Sequence, residues 1–134
     1  MKRVVITGMG IISSIGNNIQ EVQESLYKRR SGITVAEDYT EMGVRSHVKG
    51  NINIDLEEKV DRRLLRFMGD GAAYAYIAMQ QAIADSGLKE EEVSNYKTGL
   101  VAGSGGPSTS SMLKSFDTAR EKSPKRVGPY MVPR

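Results

Sequence analysis

Two groups of cations are the residues of this chain best suited to chemistry with a partner. The first is Arg62, Arg63 and Arg66. Arg62 and Arg66 stand four apart, and Arg63 and Arg66 three apart, so on a helix they share a face. They fall at a helix start, where the macrodipole disfavours cations. An anionic partner would offset that repulsion. The competing reading is a solvated face partly neutralised by Asp61, Glu57 or Glu58. The second group is Arg120, Lys122, Lys125 and Arg126, in a polar loop. Alone it reads as solvated. Beside the first it would complete a patch for an acidic protein or a phosphate-bearing ligand.

Two glycine-rich loops are the other candidates. Gly8-Met9-Gly10 follows an apolar run, but a dinucleotide fingerprint needs a third glycine where Ser13 stands. The short-chain reductase pattern fails at Ile12 and Ser14, and no acidic residue closes a second strand about 20 residues on. A strand-to-loop turn needing small residues is the stronger reading, with a small nucleotide-binding oxidoreductase domain as an alternative. Gly103-Ser104-Gly105-Gly106 lacks the Gly-Lys-Ser/Thr ending of a phosphate loop. It reads as a pocket lining or a close backbone approach at a subunit contact, and about equally as a simple turn.

The remaining reactive types exclude much. There is no cysteine, hence no disulfide, thiolate metal site or cysteine nucleophile in this chain. The single histidine, His47, has Arg45, Ser46 and Lys49 near it and no carboxylate in sequence, which suits a surface or structural role. No nucleophile–base pair can be read. No catalytic residue, metal or cofactor is therefore expected. The net charge of +3 is too small to suggest nucleic acid. No apolar run would span a bilayer, and Thr7-Gly8 interrupts the first one too early for a secretory leader. A soluble, cytoplasmic protein is the expectation.

These residues must be held by an α/β framework. Lys2-Arg3-Val4-Val5-Ile6-Thr7 reads as the first strand of a parallel sheet, and Lys97 to Ala102 as a second strand. Asn17-Asn18 caps a helix with Ile19, Val22 and Leu26 on one face, running to Lys28-Arg29-Arg30 and stopped by Gly32. Ile33 to Gly50 reads as loop with a short strand near Val44 to Val48, and 51–54 as a further extended piece. Asp61 to Met68 is a short helix. A second helix, capped by Asp70, continues to Ser86 and is apolar on nearly every side, which predicts burial. Gly87 supplies its left-handed cap. Ser108 to Arg120 is predicted helical, and Pro133 would suit the first turn of another helix.

Taken in order, these segments closely resemble the N-terminal part of the β-ketoacyl-acyl carrier protein synthase I family, the elongating condensing enzymes of dissociated bacterial fatty acid synthesis. The resemblance covers the whole chain. It rests on 2–10 with 13–17, Arg30-Ser31-Gly32-Ile33, Arg45-Ser46-His47-Val48, Asp61-Arg62 through Arg66-Phe67-Met68, 81–88, 102–106 and Val127-Gly128-Pro129-Tyr130. Each is weak alone, and the ordered set is specific. The arginine-rich helix start and the Arg-Ser-His-Val segment look more like synthase I than synthase II.

The resemblance implies an α/β chain that is the N-terminal portion of a thiolase-like layered α/β/α/β/α fold. Residues 1–134 would then be an incomplete domain of a homodimeric acyltransferase. It implies decarboxylative Claisen condensation of acyl groups with malonyl carrier protein, using a cysteine, two histidines and a lysine beyond residue 134. The chain alone would be inactive. It also implies that Arg62, Arg63 and Arg66 receive the acidic acyl carrier protein, with Lys125 and Arg126 near a second docking group. Gly105 to Ser108 would fall in the segment lining the acyl pocket. A non-catalytic carrier-protein-binding module is the alternative that keeps the same docking residues. No membrane partner is implied.

Overall fold

A computed structural model describes residues 2–134. In chain order the elements are helix α1 (Ile19–Tyr27), strand β1 (Ile33–Val35), α2 (Glu37–Glu41), β2 (Val48–Gly50), α3 (Leu56–Lys59), α4 (Arg62–Leu65), α5 (Asp70–Ser86), α6 (Glu90–Val93) and α7 (Thr109–Glu121). Two 3₁₀ turns follow, Pro124–Arg126 and Pro129–Met131. The chain divides into two units, residues 1–54 with 78–87, and residues 55–77 with 88–134.

In the first unit, the loop after the apolar run lies against the C-terminal half of α5. A Cβ built on Gly8 would meet the Ala82 carbonyl oxygen at 2.1 Å, and one on Gly10 the Ala78 carbonyl oxygen at 1.9 Å. What approaches these glycines is a helix backbone. Side chains of the same helix fix the loop: the Met9 N–H donates to Asp85 Oδ2 (2.9 Å) and the Ile11 N–H to Gln81 Oε1 (3.1 Å), while Gln81 Nε2 donates to the Asn17 carbonyl (2.8 Å). Packing and turn formation, as opposed to a nucleotide cradle, account for this loop.

Helix α1 begins as its sequence predicts, with Asn18 Oδ1 accepting the Glu21 N–H at 2.9 Å. Its end differs from expectation. Lys28 is the C-cap, and Arg29 takes the left-handed conformation (φ 52°) usually given to glycine. Arg30 N–H reaches the Ser25 carbonyl (2.8 Å) and Arg29 N–H the Leu26 carbonyl (3.1 Å), the two bonds of a Schellman cap. Gly32 lies further on, packed against the Ser14 carbonyl.

The segment 33–50 is a small antiparallel pair carrying α2 between its strands, with Ile33 opposite Gly50, Thr34 opposite Lys49 and Val35 opposite Val48. The single short strand expected near Val44 is thus two strands and a helix. Residues 51–54 take no regular structure.

Neither long predicted strand forms. Residues 2–7 and 97–102 join no ladder, and Val4 is 92% and Val101 97% exposed. A strand exists only through its hydrogen-bonded neighbours, and among the described residues the named sheet is the β1–β2 pair. The same absence of cover corrects the expectation for α5. Only Ala73 and Ile77, four residues apart on one face, are buried. Asp70 is its first residue and not its cap. Gly87 does adopt the left-handed conformation expected after it (φ 68°).

In the second unit, α4 is a single turn capped by Asp61, whose carboxylate accepts the Arg63 N–H at 2.7 Å. Helix α7 forms where predicted, with Ser108 as N-cap, and packs against both 3₁₀ turns. Pro129 opens the second 3₁₀ turn. No helix of the described residues is long and apolar enough to cross a membrane.

Candidate functional site

The candidate site lies in the second unit and is built on α4. Its four-residue length alters the electrostatic reading of the arginines. Arg62 and Arg63 sit at the first two helical positions, but Arg66 is the C-cap, with its N–H directed at the Arg62 carbonyl. A single turn has little macrodipole, and a cation at its C-terminal end is favoured. Repulsion at a helix start therefore bears on Arg62 and Arg63 alone.

All three arginines are exposed. Among the described residues the ion pairs are Lys28–Glu24, Arg30–Glu24 and Lys49–Asp38. None involves Arg62, Arg63 or Arg66. Asp61 spends its carboxylate on the backbone of the turn, and the neutralisation by Glu57 or Glu58 weighed for a solvated face is not seen. Asp55 likewise caps α3 by accepting from the N–H groups of Glu57 and Glu58.

Arg66 is held by aromatic rings. Its guanidinium carbon lies 4.8 Å from the Phe67 ring centre and 5.0 Å from that of Tyr130. The two rings meet edge to face, 5.0 Å apart at 81°. The cation thus occupies the corner between two perpendicular rings.

Tyr130 also connects this turn to the second basic group. Lys125 and Arg126 are exposed on the 3₁₀ turn Pro124–Arg126, and the next turn carries Tyr130. The four-residue step from Arg126 to Tyr130 spans at most about 14 Å of chain. Arg66 and the 125–126 segment therefore share one region. Arg120 ends α7 and Lys122 is its C-cap. Phe67 and Tyr130 enter the sequence reading only as parts of motifs. The available signal was an aromatic residue beside each basic group in a chain with few aromatics.

The loop 103–106 lines an open cavity of about 800 Å³ with Gly69, Ala72 and Ala75 of the neighbouring segment. No atom outside the loop lies within 4 Å of where a Cβ on Gly103, Gly105 or Gly106 would stand. Within this chain the loop stands beside open space, and no backbone of the same chain approaches its glycines. His47 is exposed, and its carbonyl accepts the Ala36 N–H at 2.8 Å. Among the described residues no three metal-ligating side chains cluster.

The family profile described as "Beta-ketoacyl synthase, N-terminal domain" matches residues 1–133. The chain is 52% identical over 133 residues to 3-oxoacyl-[acyl-carrier-protein] synthase 1 of Haemophilus influenzae, covering 98% of this chain and 33% of that protein. It is 50% identical over 134 residues to the protein of the same name from Escherichia coli K12, again 98% and 33%. Among solved structures, a β-ketoacyl synthase from Burkholderia phymatum superposes with a TM-score of 0.81 at 27% identity, covering 98% of this chain and 33% of that one. The ishigamide ketosynthase/chain length factor superposes at 0.82 with 23% identity, covering 97% and 33%, a likeness of fold. The chain spans about a third of the length of these relatives.

Proposed function

Because this chain belongs to the β-ketoacyl synthase family, as its N-terminal domain, we propose that it is the first third of a condensing enzyme that elongates acyl chains in fatty acid biosynthesis. Residues 1–134 would form an incomplete thiolase-like domain of a cytoplasmic homodimer. In the proposed reaction an acyl group passes from carrier-protein thioester to an enzyme cysteine. Malonyl carrier protein then loses carbon dioxide, and its carbanion attacks the acyl carbonyl and expels the cysteine thiolate. This chain has no cysteine. The nucleophile, two histidines and a lysine are supplied by the rest of the enzyme. The exposed apolar runs around Val4 and Val101 support that division, because each has the character of a strand and lacks neighbours.

Within this reading the contribution of residues 1–134 is docking. Arg62, Arg63 and Arg66, with Lys125 and Arg126, receive the acidic carrier protein. The observation that carries this is five exposed cations on one unit without ion-pair partners among the described residues. Complementary charge chiefly speeds and orients encounter. The test is reversal of Arg63 and Arg66 to glutamate in the full-length enzyme. It should raise KM for carrier-bound substrates at low salt, with a difference that shrinks as salt screens the field. Unchanged carrier-protein kinetics at low salt would refute docking. A cooperative, monomeric melting transition for residues 1–134 alone would instead argue against the incomplete domain.

A further inference from the structure

We infer that Tyr130 is a positioning residue for Arg66, its ring fixing the guanidinium in the orientation that meets the carrier protein. The inference rests on the docking reading above and goes beyond it by assigning a role to an uncharged residue distant in sequence. An exposed arginine ordinarily samples many rotamers, and ordering it on binding opposes association. Here the guanidinium sits 4.8 Å and 5.0 Å from two ring centres that are themselves 5.0 Å apart. Phe67 follows Arg66 directly and cannot define a direction by itself. Tyr130 comes from the final turn and closes the corner, so that Arg66 is oriented before a partner arrives. Both contacts are of cation–π type, which leaves the guanidinium N–H groups available to a carboxylate or phosphate. No ion pair competes for it among the described residues.

The experiment is steady-state kinetics of the full-length enzyme with acyl carrier protein substrates at low salt, comparing Tyr130→Met, Tyr130→Phe, Arg66→Ala and the double variant Tyr130→Met/Arg66→Ala. Tyr130→Met, similar in bulk but without a ring, should raise KM about two- to fivefold with kcat retained, the scale of an exposed cation–π contact. Tyr130→Phe should match the parent. In the Arg66→Ala background Tyr130→Met should add nothing. If Tyr130→Met does not fold, Tyr130→Phe and Arg66→Lys carry the test. Phenylalanine must match the parent, and lysine, which keeps the charge without the planar stack, must raise KM. If Arg66→Ala raises KM but Tyr130→Met does not, or acts equally in both backgrounds, the positioning role is overturned and docking stands. If Arg66→Ala leaves KM unchanged, docking through Arg66 itself is overturned.

Discussion

Gly10 lies so close to Ala78 that a Cβ on the glycine would sit 1.9 Å from the alanine carbonyl oxygen. Backbone is opposed to backbone there, so no flexible side chain can yield. Gly10→Ala in the full-length enzyme should therefore destabilise by about 1–3 kcal/mol, the usual cost of overpacking. Urea denaturation checks it, and a midpoint equal to the parent's would mean that the loop and α5 separate easily.

Gln81 uses both ends of its amide, accepting from Ile11 N–H and donating to the Asn17 carbonyl. Gln81→Leu leaves both part-buried backbone groups unpaired and should cost about 1–3 kcal/mol. Gln81→Glu keeps the shape but turns an oxygen toward the Asn17 carbonyl. Its proton restores the donor, so the folded state favours the protonated acid. The deficit of this variant relative to the parent should shrink as pH falls into the carboxylate range. A deficit independent of pH would count against the assigned donor.

Arg29 takes a left-handed conformation that costs a non-glycine residue about 1–2 kcal/mol. Glycine would relieve this and lose about 0.5–1 kcal/mol through its greater unfolded freedom. Arg29→Gly should thus gain up to about 1.5 kcal/mol, read as a higher denaturation midpoint. A lower midpoint would show that the Arg29 side chain contributes more than its backbone strain costs.

The hydrogen bond from Lys28 and its charge, with the Arg30 charge behind them, hold the Glu24 carboxyl below its ordinary range. A carboxylate lowered in the folded state stabilises above its unfolded pKa, and that contribution is lost as pH falls through the folded value. Glu24→Gln should be less stable than the parent at neutral pH and equal to it in strong acid. Both partners are exposed, so added salt should narrow the neutral-pH gap. Thermal melts across pH and salt provide the check.

What the sequence makes legible here follows how local each feature is. The Asn18 cap, the turn at Gly87 and the place of α7 depend on neighbours a few residues away, and they appear as predicted, while the end of α1 and the capping role of Ser108 do not. The strands at 2–7 and 97–102 depend on distant partners, so their β-branched composition is visible while the ladders do not form. The role of Gly8 and Gly10 was open between a ligand and a backbone, because glycine signals close approach without saying by what. The arginines are legible as charge. Their freedom from ion pairs depends on where the neighbouring carboxylates turn, Asp61 capping the helix among them, and the ring corner at Arg66 depends on a residue from the far end of the chain. Periodicity reports neither.

The apolar runs at Val4 and Val101 have a consequence for synthesis. In the enzyme proposed above these residues belong to the N-terminal domain, which would emerge from the ribosome ahead of the rest. Relatives are about three times as long. At about 5–20 residues per second, the remaining two-thirds of the proposed enzyme would take roughly a quarter of a minute to a minute to emerge. During that interval two β-prone segments stand without neighbours, each able to pair with the same segment on an adjacent polysome-borne chain. For the proposed enzyme, translation speed and chaperone occupancy would then govern the folded yield as directly as the stability of the finished fold.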